Sequence, residues 1–131
     1  MLRYLFDTNH ASAILKGDKD LRQRISLAQG QFGISLPTVG ELWFMVFNSI
    51  EVTKNTEALK YTLRQFKHWE YDQEAAVEFG RIRAELRRNG RPIPAIDVQI
   101  AAIARANDLT VITSDEHLSN VSDLNVEIWP A

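Results

Sequence analysis

The chain of 131 residues contains no cysteine. This absence excludes disulfide bonds, thiolate metal sites and thiol nucleophiles, and it fits a reducing compartment. No apolar run approaches the ~18 residues that a membrane-spanning helix needs. The first residues, MLRYLF, also lack the length and the small-residue cleavage site of a signal peptide. We therefore expect a cytoplasmic protein that does not associate with membranes.

Neither sign of charge dominates the sequence, because its formal net charge is only -2. This balance argues against a protein that coats nucleic-acid phosphates over its whole surface, but it leaves room for a local basic patch. Apolar residues make up 45% and charged residues 24%, which is typical of a globular protein. No repeat, low-complexity tract or linker interrupts the chain, so we expect a single domain over residues 1–131.

Four short apolar runs, partly β-branched, are typical of strands that are buried on both faces of a parallel sheet. Between them apolar residues recur at helical spacing, most clearly at Ala75, Phe79, Ile82 and Leu86. This alternation predicts an α/β fold, a three-layer α/β/α sandwich with a mostly parallel central sheet, and it leaves the strand order open. The predicted strands are residues 2–6, 32–36, 110–113 and 126–129.

Four acidic residues fall at predicted helix starts, and three of them come directly after predicted strands. Asp7 ends the first apolar run, Asp115 follows the third, and Glu41 lies in the first turn after Pro37. Asp97 lies in the first turn of the helix that opens at PIPAID. Because ligands of such sheets bind at the carboxyl ends of the strands, we expect these four carboxylates to converge.

Each acidic residue also has a purely structural interpretation. Carboxylates at helix N-termini gain about 0.3–1 kcal/mol from free N–H groups and the helix dipole, so Asp7 and Asp115 fit simple caps. Thr38 and Glu41 have the T-x-x-E spacing of a capping box. Taken alone, Glu41 and Asp97 are better explained by helix stability than by function.

Taken together, the four carboxylates require a neutralising partner. Two carboxylates ~4 Å apart repel by up to ~4 kcal/mol at an effective dielectric of 20, so a proton or a cation must accompany the cluster. A hard divalent cation, Mg²⁺ or Mn²⁺, suits carboxylate ligands. The histidines show no H-x-x-x-H spacing, so we interpret them as surface or core residues rather than ligands: His10, His68 and His117.

Four segments together resemble a PIN domain, and specifically a VapC-type toxin of bacterial toxin–antitoxin pairs: FDTN, LPTVGEL, GRPIPAIDVQIAAIARANDLTVITSDEHL and LNVEIW. The resemblance covers residues 5–129. It implies a Mg²⁺- or Mn²⁺-dependent endoribonuclease that hydrolyses RNA phosphodiesters with a metal-activated water, leaving a 5′-phosphate and a 3′-hydroxyl. It also implies an antitoxin partner and a homodimer. By motif, the catalytic metal ligands are Asp7, Glu41, Asp97 and Asp115, and the small polar residues that orient them are Thr8, Asn9, Thr113 and Ser114.

The segment RIRAELRRNGR places five of the 15 basic residues within 11 positions. Arg83, Arg87 and Arg91 follow i, i+4 spacing, at which like charges disfavour a helix by some tenths of a kcal/mol. An anionic partner would relieve this cost, so we interpret the three arginines as RNA-binding. A solvated helix face and an acidic stretch of an antitoxin are the alternatives.

The segment ELWFMVFNSI is apolar almost all round the predicted helix. Phe44 and Met45 lie beside the stripe that is predicted to enter the core, and related proteins usually have glycine where Met45 stands. We expect these two residues to join a partner-facing apolar patch, with a locally thicker core as the alternative. The predicted core stripe is Leu42, Trp43, Val46, Phe47 and Ile50.

Two other functions remain open from the sequence. A catalytically silent PIN-fold protein would bind RNA or a partner without turnover, although the presence of all four acidic residues argues against it. A phosphoacceptor receiver domain also clusters acids at strand ends. However, the chain lacks an acidic pair near its first strand and a lysine after its last strands.

Overall fold

The computed structural model describes residues 2–130. Within this range no helix is both long enough and apolar enough to cross a membrane. The strands are β1 (Arg3–Phe6), β2 (Gln31–Ser35), β3 (Lys67–Trp69), β4 (Thr110–Thr113) and β5 (Asn125–Ile128). The α-helices are α1 (Thr8–Leu15), α2 (Lys19–Leu27), α3 (Leu36–Phe47), α4 (Val52–Leu63), α5 (Gln73–Arg88) and α6 (Ala95–Asn107), and a 3₁₀ helix spans Glu116–Asn120.

The five strands form one sheet in the order β3-β2-β1-β4-β5, and every neighbouring pair is parallel. The predicted fold is therefore confirmed, with a sheet that is wholly parallel across the described residues. β1 and β4 lie side by side at its centre, where Phe6 pairs with Ile112. Their carboxyl ends face the same edge, so the residues that follow them meet there.

The sequence did not predict β3, although each of the other four strands lies within one residue of its predicted bounds. β3 has only three residues and lies at the sheet edge, with Lys67 and His68 exposed. Such a short polar edge strand carries no apolar run that a pattern search would detect. Its Trp69 packs on Gly33 of β2, where a built Cβ would lie 2.6 Å from Trp69 Nε1.

Alternate residues of the central strands enter two separate hydrophobic cores, which makes the sheet the middle of three layers. Leu5 and Val111 pack with apolar side chains of α5 and α6 on one face. Phe6 and Ile112 pack on the other face with side chains of α1, α3 and α4. This double burial explains why the strands read as continuous apolar runs.

An ionic clamp joins α5 to α6, the helix that carries Asp97. Arg105 of α6 donates to Glu78 of α5 over 2.7 Å and to the Ser122 carbonyl over 3.1 Å. The hydrogen bond from Arg105 is the main reason that the pKa of Glu78 lies below its usual range. The clamp therefore fixes the orientation of α6 relative to α5.

Helix α3 differs from the predicted core stripe at its carboxyl end. Leu42 and Val46 are buried as predicted, but the prediction was wrong for Phe47, which is 65% exposed, and for Ile50, which is fully exposed. The helix ends at Phe47, so Ile50 no longer follows its periodicity. Phe47 instead stacks on Trp43, with ring centroids 5.4 Å apart, outside the core.

Candidate active site

The four predicted acidic ligands all line one cleft of about 280 Å³ at the carboxyl edge of the sheet. Asp7 directly follows β1, and Asp115 follows the neighbouring strand β4 by two residues. Glu41 reaches the cleft from α3, and Asp97 reaches it from the first turn of α6. Ser114 is not among the residues that line the cleft, whose other members are Thr8, Asn9, Pro94, Ile96, Thr113 and His117.

Asp7 is both the cap of α1 and a wall of the cleft. Its Oδ1 atom accepts a hydrogen bond from the His10 amide over 2.8 Å, which is the geometry of an N-cap. The residue is buried, with 5% of its surface exposed. Within residues 2–130 its hydrogen bonds involve Oδ1 alone, so Oδ2 is left for a ligand in the cleft.

His10 fixes Asp7 from behind, a role that was not predicted from the sequence. Its fully buried ring places Nδ1 2.8 Å from Asp7 Oδ1 and Nε2 3.0 Å from the Trp129 carbonyl oxygen. A carbonyl only accepts, so Nε2 carries a hydrogen and donates it to Trp129. The usable signal in the sequence was the position of His10 three residues after a helix cap, where one turn brings the two side chains together.

His117 was also missed, and it lies between two of the acidic residues. Its Nε2 atom is 3.2 Å from Asp97 Oδ2, and its Nδ1 atom is 3.8 Å from Asp115 Oδ2. Burial raises the pKa of Asp97, the hydrogen bond and charge of His117 oppose that rise, and the charges of Asp7 and Asp115 add to it. The cleft therefore already concentrates negative charge around Asp97.

Glu41 is exposed and does not form the predicted capping box, so that interpretation was wrong. Helix α3 begins at Leu36, three residues earlier than the capping box requires. Ser35 is its cap, and the Ser35 hydroxyl accepts from the Thr38 amide over 3.3 Å. Glu41 lies in the second turn as a result, so neither the cap nor the first-turn dipole accounts for its place in the cleft.

Threonine hydroxyls, buried or partly buried, order the surroundings of the carboxylates. Thr113 Oγ1 accepts from the Asp115 amide over 3.1 Å and so fixes the turn that carries this acid. Thr8 and Thr38 approach each other with their hydroxyl oxygens 3.3 Å apart, which links the start of α1 to the start of α3. Asn9 lines the cleft and is exposed.

The donor set fits a hard divalent cation in an open site. It consists of carboxylate and hydroxyl oxygens, which Mg²⁺ and Mn²⁺ prefer. Among residues 2–130, no three acidic or histidine side chains stand close enough to form a preformed metal cage. Mg²⁺ does not need one, since it keeps several waters and commonly takes only one or two protein carboxylates. The carboxylates that the cleft offers to such a cation are those of Asp7, Glu41, Asp97 and Asp115.

The family model of the PIN domain matches residues 4–124. The chain belongs to the PIN domain family. Among curated relatives, this PIN domain is 33% identical to the tRNA(fMet)-specific endonuclease VapC of Shigella flexneri, in an alignment of 131 positions that covers 98% of this chain and 99% of the relative. It is 29% identical to Ribonuclease VapC2 of Haemophilus influenzae, with the same coverage of 98% and 99%.

Solved structures agree with these relatives. The DNA-bound VapBC from Salmonella typhimurium superimposes with a TM-score of 0.92 at 29% identity, covering 99% of this PIN domain and 100% of that chain. VapBC2 from Rickettsia felis, bound to a promoter DNA fragment, gives a TM-score of 0.92 at 22% identity and supports the fold alone; the match covers 98% of this chain and 100% of that chain. The VapC-type resemblance drawn from the sequence is therefore confirmed.

The three predicted RNA-binding arginines of this PIN domain do not share one helix face. Arg83 and Arg87 lie on α5 and line a second cavity. Arg91 lies beyond the helix, because α5 ends at Arg88 and Gly90 adopts a positive φ of 65°. Its Nη1 donates to Asn120 Oδ1 over 2.9 Å. The prediction that Arg91 continues the i, i+4 face of Arg83 and Arg87 was therefore wrong.

The two predicted partner-facing residues have different surroundings. Phe44 is 63% exposed on α3. Met45 packs partly against the core and lines a groove of about 220 Å³ between α1, α3 and α4, whose other members include Leu15, Asn55 and Ala58. A partner on this side of the molecule would therefore meet a ridge at Phe44 and a groove at Met45.

Substitution of Asp97 tests the electrostatics of the cleft without metal. Burial raises the pKa of Asp97 in the folded state, so the ionised carboxylate destabilises the fold once the pH exceeds the unfolded pKa near 3.9. In EDTA at pH 7, we expect Asp97→Asn to melt at a higher temperature than the wild type. The difference should shrink to zero below about pH 3.5, where the acid is protonated in both states. An equal or lower melting temperature at pH 7 would contradict the raised pKa.

Substitution of His10 tests its link between Asp7 and the carboxyl-terminal segment. We expect His10→Leu to lower the free energy of unfolding by about 1–3 kcal/mol, because it leaves the buried Trp129 carbonyl and the Asp7 carboxylate without their ring partner. The matched control is His68→Leu, which removes an exposed ring that contacts one carbonyl, and it should change the free energy by about 0.5 kcal/mol or less. Urea denaturation measures both, and equal effects would rule out the special role of His10.

Proposed function

We propose that this PIN domain is a metal-dependent endoribonuclease, the toxin of a VapC-type toxin–antitoxin pair. The observation that carries the proposal is the convergence of four carboxylates, from four separate elements of the fold, in one cleft. The names of the curated relatives, an endonuclease specific for tRNA(fMet) and a ribonuclease, support RNA as the substrate class. A cytoplasmic location follows from such a substrate.

The cation that we propose is Mg²⁺ or Mn²⁺. When bound, it would supply charge neutralisation for a backbone phosphate and would lower the pKa of an attacking water. The residues prepare this chemistry before any ligand arrives. Asp7 is held at Oδ1 by the amide and ring of His10, and the turn at Asp115 is held by the Thr113 hydroxyl. Such preorganised oxygens need no rearrangement as charge develops on the phosphate.

The proposal includes protein partners. The Salmonella typhimurium structure is a VapBC assembly, which supports a cognate antitoxin for this chain as well. The exposed ridge at Phe44 and Phe47 and the groove at Met45 provide the apolar surface for the antitoxin and for a second copy of the chain. Exposed apolar patches of this kind mark interaction sites.

RNA cleavage by the purified chain tests the proposed activity. We expect single-stranded RNA and tRNA(fMet) to be cut in Mg²⁺ or Mn²⁺, to be left intact in EDTA, and to yield products with a 5′-phosphate. Asp97→Asn should lower the cleavage rate by about a hundredfold or more, because the site loses a charged oxygen where the cation binds.

The matched control for cleavage is Asp72→Asn, which makes the same chemical change at the cap of α5, remote in sequence from the cleft motifs. It should retain the activity. Cleavage that survives both EDTA and Asp97→Asn would contradict a metal-dependent site. RNA binding without cleavage in either metal would favour the silent regulator.

A charge placed on the apolar ridge tests the partner surface. We expect Phe44→Glu and Met45→Glu each to have one of two effects, since each buries a charge in a contact. Either the free oligomer dissociates and its measured mass falls, or the affinity for the antitoxin falls by about tenfold or more. Light scattering and calorimetry with the cognate antitoxin measure the two outcomes. Leu27→Glu, at an exposed leucine of α2, is the control. If all three variants behave like the wild type, the partner surface lies elsewhere.

A further inference from the structure

A second cavity lies next to the cleft, on the other side of residues 92–98. Its floor is apolar, because Leu86 of α5 and Val98 of α6 line it with 2% of their surfaces exposed, and Ile93 packs beside them. Its volume is about 340 Å³, which falls within the range of about 300–1,000 Å³ that is common for small-molecule sites. None of the four proposed catalytic carboxylates lines it.

Two arginines without acidic partners border this cavity. Arg83 and Arg87 lie one helical turn apart on α5, and both are exposed. Across residues 2–130 neither forms an ion pair, whereas Arg81 on the same helix contacts Glu78 over 3.0 Å. The guanidinium groups at the cavity are therefore available to an anion, and a ligand that joins negative charge to a flat apolar surface would match both the border and the floor.

The cavity and the cleft lie on opposite sides of residues 92–98, which comprise the loop before α6 and its first turn. Along residues 92–98, the side chains of Pro94 and Asp97 line the cleft, while those of Ile93, Ala95 and Val98 line the cavity. An RNA strand whose phosphate lies at Asp97 would therefore carry a neighbouring nucleotide to the cavity.

We propose that this cavity binds one unpaired nucleobase of the RNA substrate, with Arg83 and Arg87 holding the adjoining phosphate. The inference rests on the proposed function and names the part of the substrate that the chain recognises beside the cut. Proteins commonly recognise single-stranded RNA through splayed bases that stack on apolar or guanidinium surfaces. An acidic peptide would satisfy the arginines, but it would leave the apolar floor exposed.

The first test measures RNA binding in an Asp97→Asn background, which keeps the RNA intact. A fluorescent single-stranded RNA is titrated in Mg²⁺ at several salt concentrations. Arg83→Ala with Arg87→Ala should raise Kd by about tenfold or more and should lower the slope of log Kd against log salt by about 0.7, the value for the one phosphate that the two arginines hold.

The matched control is Arg81→Ala with Arg88→Ala, which removes the same charge from the same helix beside a different cavity. It should change Kd by about threefold or less and should leave the salt slope nearly intact. Circular dichroism and melting temperatures establish that both double variants are folded. Equal loss of affinity in the two pairs would overturn the site.

The second test separates the base from the phosphate. Ala95→Phe, which adds a ring at the cavity and leaves the charge unchanged, should weaken RNA binding. A set of RNAs, each lacking the base at one position, is then bound by both proteins. At a single position, removal of the base should weaken binding to the protein that keeps Ala95 and should leave binding to the Ala95→Phe variant unchanged. Two results would overturn the site: full affinity of Ala95→Phe for RNA, or loss of antitoxin binding by the arginine variant while its RNA binding is retained.

These outcomes are distinct from failure of the proposed function. If the wild type cleaves RNA and the cavity variants bind it as the controls do, the nuclease proposal stands and the base site is overturned. If the predicted losses of affinity appear but no RNA is cleaved in Mg²⁺ or Mn²⁺, the base site stands and the nuclease proposal fails.

Discussion

Repulsion between carboxylates is the constraint on which the rest of this structure depends. Four acidic side chains line a cleft of about 280 Å³, and the charges of Asp7 and Asp115 add to the rise that burial causes in the pKa of Asp97. The chain relieves part of this repulsion itself. The pKa of Asp97 is raised by burial, so it holds its proton more tightly, and His117 faces both Asp97 and Asp115. No comparable partner faces Glu41 within the described residues, and a divalent cation would complete the neutralisation.

The fold produces this crowding from ordinary elements. β1 and β4 are neighbours at the centre of a parallel sheet, so the acids that follow them meet at one edge. Each strand is held on both faces by a separate hydrophobic core, which leaves little freedom in where its end lies. Asp7 shows how structure and proposed chemistry combine in one residue: its Oδ1 caps α1 and contacts His10, and its Oδ2 remains for a ligand. A cap and a ligand are therefore compatible functions of the same carboxylate.

The sequence predicted those parts of the molecule that depend on local pattern. Buried strands are apolar and the segments that follow them carry acids, so four of the five strands described and the four acids of the cleft could be located. The parts that it missed depend on tertiary contacts. β3 is too short and polar to leave a pattern, and Arg91 lies past a helix end that Gly90 fixes. His10 reaches the Trp129 carbonyl and His117 reaches Asp97 only when distant segments meet. The capping box failed because Ser35 offered an earlier cap to the same helix.

The measurement that tests this account most directly is the effect of Mg²⁺ on thermal stability in three chains: the wild type, Asp7→Asn and Asp18→Asn. Asp18 caps α2 with the same type of hydrogen bond, to the Leu21 amide over 3.0 Å, and it lies outside the cleft. At a free Mg²⁺ concentration ten times its Kd, binding raises the free energy of unfolding by about 1.4 kcal/mol. We expect the wild type and Asp18→Asn to gain this stability and Asp7→Asn to lose most of the gain. Equal gains in all three chains, or no gain in the wild type, would contradict a cation site built on Asp7.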